Sequence, residues 1–231
     1  MTNHSPKRLL HTLLAVVALV CSMLPLASCE DNAGKEDNAE FTANWRTRNE
    51  QYFLERMNEA KDSVNAAKAA YGDDWKGHTT WRIERSWAKV EAPAITTTDS
   101  ICYRIVNEGK GSKAQPLYTD SVRVNYIGRL IPTASYADGR IFDHSGLYDD
   151  EGSVFSPDFS IPTKFAVSNL IEGYTTLLLH MNVGERVRVY IPQQLAYGSA
   201  SNSVMPAWST LVFDVELKGI WRAGQSTGTW E

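Results

Sequence analysis

From Ile101 onward the apolar residues recur at every second position. Ile101, Tyr103 and Ile105 alternate with Cys102, Arg104 and Val106, and Val122, Val124 and Tyr126 with Arg123, Asn125 and Ile127. Val187, Val189 and Ile191 alternate with Arg186, Arg188 and Tyr190, and Phe213, Val215 and Leu217 with Asp214, Glu216 and Lys218. Successive side chains of a strand point to opposite faces, so each run reads as a strand with one face in a core and the other in water. One-sided burial of this kind is common in antiparallel sheets. Between the second and third runs lies one clear helical pattern. Asn169 suits its N-cap, Leu170, Tyr174, Leu177, Leu178 and Met181 form an apolar stripe, and Gly184 follows its end. One short helix against a curled antiparallel sheet is a compact α+β domain, placed here over residues 98–221 with a tail at 222–231.

The upstream period is different. Tyr52, Phe53, Met57, Ala60, Val64, Ala67 and Tyr71 are spaced by threes and fours, which predicts a helix over residues 42–71 ending at Gly72 and Asp73. Trp81, Ile83, Trp87 and Val90 mark a second segment that fits helix or strand. Residues 41–95 therefore read as a helical extension, docked on the main domain or on another chain.

The first residues read as an address. Lys7 and Arg8 form a positive start, and the uncharged run from Leu13 to Cys21 is too short for a bilayer span of about 20 residues. It suits a secretory signal peptide over residues 1–28. The ending Leu26-Ala27-Ser28-Cys29 resembles a bacterial lipobox, which implies lipidation of Cys29 and a lipid anchor in the outer or inner membrane, facing the periplasm or the cell surface. Residues 29–40 are a polar tether without apolar periodicity. Cleavage before Cys29 leaves 21 basic and 27 acidic residues, a net charge of −6. With no Lys/Arg cluster, nucleic acid is not an expected partner. Cys102 is left without an intrachain partner and reads as a small packing residue.

Four phrases stand out in order: Val124-Asn125-Tyr126-Ile127-Gly128-Arg129-Leu130; Asp138-Gly139-Arg140-Ile141-Phe142-Asp143; Met181-Asn182-Val183-Gly184-Glu185-Arg186; and Leu195-Ala196-Tyr197-Gly198 with Thr210-Leu211-Val212-Phe213-Asp214-Val215-Glu216-Leu217. They resemble the FK506-binding-protein (FKBP) family of peptidyl-prolyl cis-trans isomerases over roughly residues 98–221. The resemblance implies an antiparallel half-barrel wrapped around one short helix, and isomerisation of Xaa-Pro bonds in unfolded or proline-containing exported polypeptides. It implies a catalytic set of Tyr126, Phe142, Asp143, Tyr197 and Phe213. It also implies a substrate-binding set of Leu170, Ile171, Tyr174, Val204 and Met205, with neither cofactor nor metal. Tyr174 stands where well-known members carry Trp, and residues 144–164 form a long insertion, with another at 131–137. Tyr174, the long loop and Asn169, which stands where the family commonly has an acidic residue, favour a rival reading, a non-catalytic module of the same fold that grips apolar peptide. Asp143, His144 and Ser145 are consecutive and cannot form a relay, no Gly-x-Ser-x-Gly is present, and the histidines lack metal-ligand spacing.

Overall fold

The computed structural model describes residues 39–92, 96–110, 112–148 and 155–224. The expected signal peptide, Cys29, most of the tether and the end of the tail lie outside the described residues.

Two helices come first, α1 (Ala39–Thr42) and α2 (Trp45–Tyr71). Asn44, at φ 51°, breaks the helix between them. Gly72, at φ 55°, ends α2, and its amide donates to the Lys68 carbonyl. The expected stop at Gly72 is therefore a residue in a left-handed conformation that glycine adopts without steric cost.

The strands follow: β1 (Trp81–Arg85), β2 (Ser100–Asn107), β3 (Ser121–Arg129), β4 (Ile141–His144), β5 (Gly146–Tyr148), β6 (Phe155–Ser160) and β7 (Thr163–Ala166). Helix α3 (Glu172–Leu178) leads to β8 (Arg186–Ile191) and β9 (Leu211–Trp221). The main sheet runs β1-β2-β8-β9-β3-β4, with β7 also on β3. Every pairing is antiparallel. β7 takes the first half of β3's free edge, from Ser121 to Val124, and β4 takes the second, from Ile127 to Arg129. The insertion after β4 carries a separate hairpin of β5 and β6.

The inner face of the sheet wraps α3. Ile101, Tyr103, Val122, Val124, Val187, Val189, Val215 and Leu217 pack with Leu177, Leu178 and Met181 in one buried cluster. Gly173 sits where a Cβ would lie 2.3 Å from Ile191 Cγ2, so only glycine lets the helix approach β8 this closely. Residues 41–95 are not helical throughout. Trp81–Arg85 is a strand, because β2 offers it an unpaired edge from Ser100 to Arg104 and five of its residues pair there.

The outer sheet face is not in water as the alternation implied. Phe53, Met57 and Ala60 of α2 cover Cys102, Tyr190 and Val212 from adjacent strands. The extension thus docks on its own domain, and each fully buried Phe or Met there contributes about 1.5–3 kcal/mol. Cys102 is wholly buried, and burial pushes its thiol well above the ordinary range, as suits a packing residue.

Candidate active site

Three rings meet Phe213, and a further ring joins them through Tyr126. Phe213 of β9 meets Phe142 edge-on with ring centroids 5.5 Å apart, and Tyr174 edge-on at 5.1 Å. Tyr126 lies 6.5 Å from Phe213 and 5.7 Å from Phe165. The strands dictate this grouping. Gly128 of β3 stands opposite Phe213 on one side and Asp143 on the other, and β7 adds Phe165 opposite Val122. Arg188 pins β9 in register by donating from Nε and Nη2 to the two carboxylate oxygens of buried Asp214, at 2.9 and 2.8 Å.

These rings enclose a cavity of about 250 Å³ that also touches Asp143, Asn169, Leu170, Ile171 and Tyr197. A crevice of about 340 Å³ elsewhere lies among Lys76, Arg82, Glu84, Glu108, Lys113 and Glu185, a charged lining ill suited to apolar chemistry.

Tyr174 is the floor, buried on α3. Its hydroxyl is buried without a hydrogen-bond partner among the described residues, and burial raises its pKa well above the ordinary phenol value. Tyr126 donates its hydroxyl to Asp143 Oδ2 at 2.9 Å. Burial first, and then that carboxylate, push the Tyr126 phenol upward, so it stays a donor. Asp143 and Tyr197 are exposed at the rim. Ile171, the N-cap of α3, adopts extended ψ of 149°, and its amide precedes the first intrahelical bonds.

Eight of the ten pocket residues expected from sequence line this cavity: Tyr126, Phe142, Asp143, Leu170, Ile171, Tyr174, Tyr197 and Phe213. Val204 and Met205 do not. Val204 is exposed, and its carbonyl accepts from Arg140 Nη2 at 2.9 Å. Met205 turns into the main core because the Asn202 side chain accepts from the amides of both residues and folds the loop inward. Two lining residues escaped the reading. Phe165 lies on a four-residue strand too short for a periodic signal. Asn169 reads as an N-cap, but the helix starts at Glu172, and Asn169 instead closes a short 3₁₀ turn, Val167–Asn169. Trp208 does not line the cavity and stacks under the Arg46 guanidinium at 4.4 Å.

Residues 112–218 match the family described as FKBP-type peptidyl-prolyl cis-trans isomerase. This segment belongs to the FKBP-type isomerases. The chain is 37% identical over 123 residues to an FKBP-type 22 kDa peptidyl-prolyl cis-trans isomerase of Escherichia coli, covering 53% of this chain and 50% of that protein. It is 31% identical over 196 residues to the FKBP-type isomerase FkpA of Aeromonas hydrophila, covering 84% of this chain and 63% of that one. The chain thus spans about half to under two thirds of the length of these FKBP-type relatives. The crystal structure of FkpA from Escherichia coli aligns with 96% of this chain and 76% of its own, at 24% identity and a TM-score of 0.43.

Proposed function

We propose that the chain isomerises Xaa-Pro peptide bonds in the cavity around Phe213. The observation that carries this reading is the ring cluster itself: a pocket walled by Tyr126, Phe142, Phe165 and Phe213 over Tyr174, with Asp143 and Tyr197 exposed at its rim.

The chemistry suits such a site. The imide before proline favours trans by only about 0.5–1 kcal/mol, but the barrier between isomers is about 18–20 kcal/mol. No bond must break. The C–N bond must lose its double-bond character, and the twisted state separates less charge than the planar one. A water-excluding, apolar wall therefore favours it over the ground state, which is catalysis by differential binding. The prolyl ring would sit on Tyr174 between Phe142, Tyr126 and Phe213. The Ile171 amide and the Tyr197 hydroxyl would each donate to a substrate carbonyl. Asp143, held by Tyr126, would stabilise the carbonyl end of the rotating group at the rim. No acid–base pair or covalent intermediate is required.

The substrate class of this reading is a prolyl side chain within an extended or unfolded segment, its apolar ring suited to a ring-lined wall. With the lipobox-like Cys29, we place the protein as a lipoprotein assisting exported chains, where prolyl isomerisation can limit folding. The test is exchange NMR or a protease-coupled assay on a short Xaa-Pro peptide. The rival, a pocket kept only for gripping peptide, is favoured by Tyr174, whose buried hydroxyl is a poor companion for an apolar ring. Peptide binding without accelerated exchange is its signature. For the anchor, metabolic labelling with a fatty-acid probe should mark the protein and fail in Cys29→Ala.

A further inference from the structure

We propose that α1 and the first turns of α2 form a strut that sets the two loops flanking the pocket, with Phe41, Trp45 and Asn49 as positioning residues for the prolyl substrate. The inference rests on the isomerase reading and gives the extension a role in it.

Two sets of contacts carry the proposal. The first grips the loop before β4. The Glu40 carboxylate accepts from the Ser135 amide and hydroxyl at 3.1–3.3 Å. The Phe41 ring lies 5.9 Å from Tyr136 and 4.1 Å from the Arg140 guanidinium. Arg140 in turn donates to the Val204 carbonyl across the cleft between the loops. It lies two residues before Phe142 and three before Asp143.

The second set grips the loop before β9. Trp45 Nε1 donates to Ser209 Oγ at 3.0 Å. Asn49, fully buried, accepts the Thr210 amide on its side-chain oxygen at 2.8 Å, and its own carbonyl accepts the Thr210 hydroxyl at 3.0 Å. The Asn49 amide nitrogen donates to the Trp45 carbonyl, so the two residues are fixed together. One residue further back, Trp208 holds φ at 64°, a conformation rare for a bulky side chain, under the Arg46 guanidinium. Its amide donates to the Gly198 carbonyl at 2.7 Å, next to Tyr197 at the cavity rim. Thr210 lies three residues before Phe213. The strut therefore reaches the donor at the mouth through Trp208 and Gly198, and the central ring through the three residues from Thr210 to Val212.

A helix that merely covered the outer face would need only Phe53, Met57 and Ala60. The buried amide of Asn49 and the indole donor of Trp45 are polar groups spent on the loop before β9, and a misplacement of about 1 Å in such a site can cost up to about a hundredfold in rate.

The test compares Trp45→Phe and Asn49→Ala with Met57→Ala, which weakens the same helix away from the loops. For the first two we expect KM to rise by about threefold or more, and amide hydrogen exchange to quicken in residues 196–210 but not in β2 or β8. Met57→Ala should lower Tm and leave KM near wild type. KM unchanged in Trp45→Phe and Asn49→Ala, or raised equally in Met57→Ala, overturns the proposal. A wild-type chain without isomerase activity overturns the functional reading instead, and quickened exchange confined to the pocket loops would then still report the strut.

Discussion

The Tyr126 hydroxyl donates to Asp143 Oδ2 across 2.9 Å, joining the middle of β3 to the end of β4 at the rim of the cavity. The bond orients an exposed carboxylate toward the pocket. A hydrogen bond to a charged group contributes about 1.5–3 kcal/mol, so Tyr126→Phe should lower kcat/KM while far-ultraviolet circular dichroism stays native. Because burial and Asp143 raise the Tyr126 phenol, its ionisation should appear only well above the ordinary value of about 10. A difference ultraviolet titration of wild type against Tyr126→Phe measures this directly, and an ordinary phenol step would contradict it.

Tyr174 supplies a flat floor but hides a hydroxyl with no partner among the described residues. Leaving a buried donor unpaired costs about 1–3 kcal/mol. Tyr174→Phe should therefore raise stability, by about 1 kcal/mol in a denaturant titration, and leave isomerase activity unchanged. A clear loss of stability would mean the hydroxyl has a partner in solution.

Gly128 marks the closest approach in the site. A Cβ there would lie 2.6 Å from Phe213 Cε1 and 2.7 Å from Phe142 Cζ. Gly128→Ala should force both rings aside, at about 1–3 kcal/mol of stability, and reduce kcat/KM in parallel. Thermal unfolding and the peptide assay on one preparation report both effects.

Glu185 carries the pH dependence most open to test. Burial raises its carboxyl pKa, outweighing the Asn182 amide, which donates at 2.9 Å, and the nearby charges of Arg82 and Lys113, which lower it. Between the ordinary Glu value of about 4.3 and the raised folded value, the native state binds more protons than the unfolded chain. Stability therefore falls as pH rises through that window. Glu185→Gln should flatten this part of the curve and melt higher at neutral pH. Parallel Tm–pH profiles for the two proteins would refute the assignment.

Much of this architecture was legible because period-two runs and the α2 stripe are strong signals. What stayed hidden has physical causes. Cys102 and Tyr190 read as one face of alternating strands, but whether that face meets water depended on where α2 docks, a long-range fact. Trp81–Arg85 became a strand through an edge that β2 supplied, not through its own pattern. In the site, strand-borne rings such as Phe142 and Phe213 were readable from the resemblance. Loop residues were less so: Val204 and Met205 turn away because the Asn202 side chain folds their amides back.

The central claim is that the cavity around Phe213 lowers the barrier to prolyl rotation. Exchange NMR on a short Xaa-Pro peptide, with the chain beginning after Cys29, tests it most directly. Wild type should accelerate exchange. Phe142→Ala should lose about tenfold or more, which is ~1.4 kcal/mol of transition-state binding, and Tyr197→Phe should lose less, both with native circular dichroism. Wild-type acceleration that survives intact in both variants would contradict the account, as would no acceleration at all.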